Sequence, residues 1–366
     1  MKQPIRILHI LQRMEAGGTQ ALLMNIYRNM DRNKVQFDFL VEYSNKEFYD
    51  DEIISLGGKI YYTNVRKDFN ILKFQKKLKE ILETGEYNIV HVHTYSIGYF
   101  CLSVAKKCGV KVRIAHSHNN ETVKDFKYIP KLILQKLYTI HATDLFACSE
   151  EAGKYLFKNK KFNVLKNAID SEKFIYNETN RLKIRKELGI EDAFVVGHVG
   201  RLHAQKNHKF LLKIFKKIKE QQKNAKLLLI GNGPLEKEIK EEIYNLNLEN
   251  DVIFLGNRKD MELIYMAMDV FVFPSLFEGL GIVAIEAQAA GLPVVCSDTL
   301  PTEVEITPNI KKLSLDDTIE KWVETSIELG KRQINKKTRE FIINSGFDLK
   351  NIVTKLEKFY IQKYKE

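Results

Sequence analysis

Residues 274–286, PSLFEGLGIVAIE, set two carboxylates, Glu278 and Glu286, eight positions apart across a glycine-containing loop. The apolar run 270–273 before them and the run 282–290 after them read as strand, loop and helix. Glycine lets the backbone come close to a ligand. A helix start with free N–H groups behind such a turn is an anion site. Glu278 would then stand in the loop at the ligand, and Glu286 in the helix just beyond it. Carboxylates accept hydrogen bonds from sugar hydroxyls, and N–H groups donate to phosphate. The pattern points to a sugar carried on a diphosphate. The same spacing also fits an ordinary α/β connection with Glu286 as a solvated helix residue.

Gly200-Arg201-Leu-His-Ala-Gln-Lys206-Asn207 follows another apolar run, 194–199. Arg201 and Lys206 lie five apart around a strand-to-helix turn, with Asn207 available as N-cap. Two cations beside a helix start suit a diphosphate; a solvent-facing basic turn is the other reading. Gly17-Gly18 closes the first apolar segment and opens a helix near Gln20, where backbone N–H groups can meet a phosphate or hydroxyl. The dinucleotide fingerprint G-x-G-x-x-G is missing there, and Gly231-Asn-Gly-Pro234 lacks its third glycine, which disfavours a nicotinamide enzyme. His91-Val-His93 and His116-Ser-His118 each end an apolar run. An H-x-H pair can bind a metal, but no third ligand suggests itself in the sequence. Hydrogen bonding to a sugar or phosphate suits these histidines better, with a structural role the more fitting one for His91.

The elements that must position these residues alternate. Runs 5–11, 37–41, 60–62, 89–92, 112–115 and 145–147 read as strands, and 21–30, 71–82, 97–107 and 130–141 as helices. A second series follows, with strands 194–199, 226–230, 252–255, 270–273 and 294–296. Its helices are 210–221, 235–246, 261–268 and 282–290. Such βα alternation makes parallel sheets covered on both faces. The polar stretch 170–187 between the series reads as a linker plus a first helix. A chain of 366 residues has room for two cores, since one core seldom grows past roughly 250 residues. Two doubly wound domains put ligands at strand carboxyl ends, in a cleft.

Composition narrows the partners. No run of about 18 apolar residues is present, as a membrane-spanning helix would need. Cys101, Cys108, Cys148 and Cys296 show no metal spacing and read as thiols of a reducing compartment, so a soluble cytoplasmic protein is expected. The net charge of +11 favours anionic partners. No nucleic-acid motif accompanies it, so nucleic acid is not expected. The basic stretch 101–140 leaves contact with an anionic membrane open.

Taken together, these motifs resemble the retaining glycosyltransferases of the GT-B fold, specifically glycosyltransferase family 4, over nearly the whole chain. They are Gly17-Gly18, His116, Asn167-Ala-Ile-Asp170, Gly200-Arg201 with Lys206, Gly231-Asn-Gly-Pro234, and Glu278 with Glu286 ahead of Ala290-Gly-Leu-Pro293. Met14-Glu-Ala-Gly-Gly, His116-Ser-His-Asn and Ser297-Asp-Thr-Leu-Pro-Thr-Glu-Val304 are most similar to the bacterial capsule and exopolysaccharide branch. The resemblance implies an N-terminal Rossmann-like acceptor domain, 1–169, and a C-terminal nucleotide-sugar domain, 170–348. A last helix, 349–366, would cross back to the first. It implies Arg201 and Lys206 on the donor diphosphate and Glu286 on the ribose. Glu278 would hold the sugar hydroxyls, with the N–H groups of Gly279, Leu280, Gly281, Ile282 and Val283 on sugar and phosphate. His116 would lie beside the donor sugar, and Phe254, Leu255 and Arg258 where the base packs. Gly17 and Gly18 complete the donor set.

The expected reaction moves a hexose-type sugar from a nucleotide diphosphate, UDP in this branch, to a glycan or lipid-linked acceptor. No cofactor is expected, and no D-x-D metal motif is visible. A nucleotide-sugar epimerase of the same architecture and a non-catalytic transferase-like subunit are the alternatives. Thr299-Leu-Pro-Thr stands where many relatives carry a glycine pair.

Overall fold

The computed structural model describes residues 3–15, 17–95, 97–118, 134, 136–331 and 337–366. The chain divides into two compact units, residues 1–169 with 346–366, and residues 170–345. In the first, strands β1 (Ile5–Leu11), β2 (Val35–Val41), β3 (Ile60–Tyr62), β4 (Ile89–Val92), β5 (Val112–Ser117), β6 (Asp144–Ala147) and β7 (Asn163–Val164) form one parallel sheet. Their order is β3-β2-β1-β4-β5-β6-β7. The central strands β1, β2 and β4 are almost continuously buried, as strands covered on both faces must be. One face packs Leu23, Ile26 and Tyr27 of the helix Gly18–Asn29. The other packs Phe74, Leu78 and Leu102.

The C-terminal helix Leu349–Lys365 closes the first of these cores with Ile352, Val353, Leu356 and Tyr360. It is fastened where it enters: the Ile169 N–H donates to Phe347 O and the Leu349 N–H to Ile169 O, each at 2.9 Å. Asp348 caps its start by accepting from the Asn351 N–H.

The second unit holds β8 (Val195–Val199), β9 (Lys226–Ile230), β10 (Val252–Gly256), β11 (Val270–Phe273), β12 (Val294–Ser297) and β13 (Ile310–Leu313). This parallel sheet has the order β10-β9-β8-β11-β12-β13. In both sheets the winding direction reverses beside the first strand, between β1 and β4 and between β8 and β11. Loops diverge at such a reversal and leave a crevice at the strand carboxyl ends.

Element ends move by one to three residues from the periodicity reading, and several elements lie outside it. The helices Asp50–Ser55, Val65–Asp68 and Glu150–Phe157, strands β7 and β13, and the helices Ile319–Gly330 and Thr338–Asn344 carry no expectation above. The first two helices and both strands are too short to show a period. Ile319–Gly330 is amphipathic and turns Trp322 fully inward, where the indole N–H donates to Ser314 O at 3.0 Å. Of the helix expected over 130–141, residues 134 and 136–141 are described; 134 and 136–138 are helical, and 139–141 form a turn that ends the helix earlier than expected.

Candidate functional site

Two loops meet at the reversal of the second sheet. The loop after β8 carries Gly200, Arg201 and Lys206, and the loop after β11 carries Glu278. Lys206 Nζ lies 2.6 Å from Glu278 Oε1, and both side chains are largely buried. Gln205 ties the loops together twice: its carbonyl accepts from the Leu276 N–H, and its side-chain amide donates to Phe277 O, each at 2.8 Å. Lys206 also sits 4.7 Å above the Phe273 ring, a cation–π contact. Gly200 is what lets the lysine stem pass, since a Cβ there would come within 3.0 Å of Lys206 Cδ.

Arg201 differs from Lys206. It is exposed, and its guanidinium makes no hydrogen bond or ion pair to the described residues. Its backbone is nevertheless held firmly. The Gly200 N–H donates to Ile230 O and the Leu202 N–H to Asn232 O. Gly231, at φ +128°, and Gly233 bring the next loop so near that added Cβ atoms would strike Gly200 O at 2.1 Å and Leu202 O at 2.3 Å. This close approach explains the Gly231-Asn-Gly-Pro234 motif, which failed as a dinucleotide fingerprint.

Beyond Glu278 the chain turns through Gly281, left-handed at φ +79°, into the helix Ile282–Ala289. The cap makes no side-chain hydrogen bond. The N–H groups of Gly279, Leu280, Gly281, Ile282 and Val283 meet no acceptor among the described residues. Five such donors at a helix start, on the loop that carries the partner of Lys206, are able to receive an oxyanion.

Glu286 is not a solvated helix residue. It is half-buried, and its Oε2 accepts from the Tyr265 hydroxyl at 2.9 Å. Burial raises its carboxyl to about 7 against the opposing Tyr265 hydrogen bond, with Glu262 adding repulsion. Tyr265 sits on the helix Met261–Ala267 and is wholly buried. No signal in the sequence marks it as the partner of Glu286.

The edge strand β10 carries Leu255, partly buried, with Arg258 just after it. Arg258 is engaged by Asp260 through two hydrogen bonds of 2.9 and 2.7 Å, so it is not a free cation. Asn207 occupies the N-cap position of the helix His208–Gln221, but in a left-handed conformation at φ +55°. Its side chain makes no capping bond. The expected Asn207 cap is therefore replaced by a turn, which carries the chain straight out of the 3-10 segment Ala204–Lys206. Thr299, at the departure from the glycine pattern, hydrogen-bonds Ser275 O at 3.1 Å and Ser297 Oγ at 2.7 Å. A glycine could not lock the two loops in this way.

In the first unit, Gly17 is the N-cap of the helix Gly18–Asn29 and offers no side-chain cap. The N–H groups of Gly18, Thr19 and Gln20 find no acceptor among the described residues. His116 lies on β5, fully buried. It stands with His9 on β1, His91 on β4, and His93 and His118 beside them. His91 Nε2 is 3.0 Å from His116 Nδ1, His93 Nδ1 is 2.8 Å from His118 Nε2, and His93 Nε2 is 3.0 Å from His9 Nδ1. Burial holds all five neutral.

The absence of a third ligand for the H-x-H pair is thus corrected. His9, His91 and His93, and again His93, His116 and His118, bring ring nitrogens within 4.8 Å of one another. Parallel pairing does this: β1 and β5 both flank β4 and stack alternate residues on one face. His9 was legible only as an interruption in an apolar strand.

Residues 16–173 match the family described as Glycosyltransferase Family 4, and residues 180–346 the family described as Glycosyl transferases group 1. The chain is 38% identical over 371 residues to the putative glycosyltransferase EpsF of Bacillus subtilis, covering 97% of this chain and 96% of that one. It is 25% identical over 382 residues to the UDP-Gal:alpha-D-GlcNAc-diphosphoundecaprenol alpha-1,3-galactosyltransferase of Escherichia coli, covering 98% and 97%. The capsular polysaccharide biosynthesis glycosyltransferase CapM of Staphylococcus aureus is 37% identical over 49% of each chain. Among solved structures, Anabaena HepE in complex with UDP-glucose superposes with a TM-score of 0.78 at 20% identity, covering 98% of this chain and 99% of that one. That likeness establishes the GT-B fold.

Proposed function

As the chain belongs to the family 4 glycosyltransferases, we propose that it moves a hexose-type sugar from UDP, with retention at the anomeric carbon, to a glycan or lipid-linked acceptor. The setting is capsule or exopolysaccharide synthesis. The observation that carries this reading is the Lys206–Glu278 pair at the sheet reversal, on the same loops as Arg201 and five N–H groups that meet no partner among the described residues. The names of the similar proteins support UDP, a polyprenyl-diphosphate acceptor and capsule synthesis.

In this reading the bond between the anomeric carbon and the phosphate oxygen breaks, and its electron pair stays on the departing diphosphate. Arg201, Lys206 and the N–H groups at Ile282 stabilise that charge where it develops, the effect that typically dominates catalysis. Glu278, already neutralised by Lys206, grips sugar hydroxyls and is not a nucleophile, so the two-carboxylate scheme of glycosidases does not apply. The acceptor hydroxyl attacks from the face the phosphate leaves, and its proton passes to the departing phosphate oxygen. The cations and N–H groups take the place a divalent metal would fill, and the reaction is metal-independent.

A panel of nucleoside diphosphates in thermal unfolding tests the donor. UDP at about 100 times its dissociation constant should stabilise the protein by about 2.7 kcal/mol. Stabilisation by another base alone removes UDP, and stabilisation by none removes the donor site.

No helix among the described residues is long and apolar enough to cross a membrane. A lipid-linked acceptor would nevertheless bring the protein to the inner face of the cell membrane. Lys127 and Lys131, proposed as membrane contacts, lie outside the described residues; Lys136 is exposed. Each lysine near an anionic surface contributes about 1 kcal/mol. Salt-sensitive binding to anionic vesicles is expected, weakened by charge reversal at Lys127, Lys131 and Lys136. Equal binding to neutral vesicles, or none at low salt, would sink the idea.

A further inference from the structure

Phe69 and Leu72, 73% and 79% exposed, are the two most exposed large apolar residues among those described. They lie on the turn between the short helix Val65–Asp68 and the helix Ile71–Leu82. The longer helix directs Phe74, Leu78, Ile81 and Leu82 into the core, which leaves Leu72 on its outer side. Both residues follow β3, at the end of the first sheet where the strand carboxyl termini lie.

Phe69 carries a backbone cost as well as an exposed ring. It is left-handed at φ +49° and ends the short helix, its N–H donating to Val65 O at 3.0 Å. Folding alone favours glycine at such a helix end, because a Cβ strains it. Asn70 fixes the next turn, its Oδ1 accepting from the Lys73 N–H at 2.9 Å. Single exposed apolar residues are ordinary. A pair of them on one strained, hydrogen-bonded turn reads as a contact surface.

The surroundings are basic. Residues 65–79 carry six basic side chains and one acid, Asp68. Lys67, Lys73, Lys76, Lys77 and Lys79 are exposed. Lys67 and Lys76 make no ion pair to the described residues, while Lys73 and Lys77 make loose ones of 3.5 and 4.0 Å to Asp68 and Glu80. A cavity of about 390 Å³ opens beside the turn, lined by the buried Val65 and Phe74 and by Asn70, Lys73, Lys76 and Lys77. An apolar tip within a field of cations matches an anionic bilayer surface, which offers hydrocarbon beneath a layer of phosphate. An acidic protein would satisfy the lysines and leave Phe69 and Leu72 in water.

We propose that Phe69 and Leu72 form a membrane-docking tip, inserted into an anionic lipid surface while Lys67, Lys73, Lys76 and Lys77 meet its phosphate groups. This face is separate in sequence from Lys127, Lys131 and Lys136. Its use in bringing the protein to a lipid-linked acceptor rests on the transfer reading above; the docking itself does not.

Phe69→Trp supplies a probe, since the one native tryptophan, Trp322, is fully buried in the second unit. Emission of the full-chain variant should shift to the blue, and be quenched by brominated acyl chains, on vesicles of phosphatidylcholine mixed with phosphatidylglycerol. Vesicles of phosphatidylcholine alone should do neither. In sedimentation with the mixed vesicles, Phe69→Gly/Leu72→Ser should bind about ten- to hundredfold more weakly, from the loss of two inserted side chains. Its melting temperature should not fall. Lys73→Gln and Lys76→Gln should each weaken binding about fivefold. Undiminished binding by the folded double variant overturns the proposal. So does an unshifted emission of bound Phe69→Trp, even if the double variant does not fold. Self-association that the double variant loses, without vesicle binding, would assign the tip to a second copy and overturn it too. If binding survives in the double variant but is lost on charge reversal at Lys127, Lys131 and Lys136, this face falls and the membrane reading stands. Vesicle binding with the expected shift, but no stabilisation by any nucleotide, removes the transferase reading and leaves the tip in place.

Discussion

Lys206→Ala is expected to lower turnover by about two to three orders of magnitude, the usual loss when one transition-state stabiliser is deleted. The geometry adds a second effect to separate from the first. Glu278 is 8% exposed, and the alanine would strip it of its cation. Removing one partner of a buried ion pair destabilises strongly, because the other charge is left uncompensated. The double variant Lys206→Ala/Glu278→Gln removes that charge as well. Melting temperature should recover in the double variant while turnover stays low. If turnover recovered along with stability, Lys206 would matter only as the partner of Glu278. Near-normal turnover in a folded Lys206→Ala protein would remove the lysine from the phosphate site altogether.

Glu286→Ala should weaken nucleotide binding about ten- to hundredfold, since a hydrogen bond to a charged acceptor is worth about 1.5–3 kcal/mol. The pH dependence sharpens this. With its carboxyl raised to about 7 by burial, Glu286 is largely protonated in the folded free protein below that pH. Ribose hydroxyls prefer the carboxylate, so nucleotide affinity should rise as pH increases through about 7. Folding stability runs the other way. Between the ordinary glutamate value and about 7 the folded chain binds more protons than the unfolded one, so stability falls as pH rises across that window and levels off above it. Glu286→Gln keeps a partner for Tyr265 and should abolish both slopes. Titration calorimetry with UDP and denaturant unfolding, each across the window, check the two signs. Unchanged affinity in the folded Ala and Gln variants would leave Glu286 a structural residue.

The retained fold class shows where sequence reasoning had purchase. Apolar runs such as Ile5–Leu11 and Val270–Phe273 are legible because a strand covered on both faces has no polar alternation to confuse it. The helix Ile71–Leu82 is legible because its period of 3.6 runs for three turns. Short pieces such as Val65–Asp68 and β7 have no period to read, and tertiary contacts make them.

Within the candidate site, residues on one loop were legible and residues arriving from other elements were not. Gly200, Arg201, Lys206, Glu278 and Glu286 stand out because glycine, cation and carboxylate recur at fixed local spacing after an apolar run. Local spacing determined that each loop could hold an anion or a hydroxyl. Only the parallel sheet decided that Lys206 and Glu278, 72 residues apart, would share a proton-bridged contact of 2.6 Å. The same holds for Tyr265 under Glu286 and for Tyr360 behind His91, the latter 269 residues distant. Chain-local chemistry is written in residue type and interval, because backbone geometry fixes distances over a few residues. Strand order fixes the long-range ones, and no interval in a linear sequence carries it.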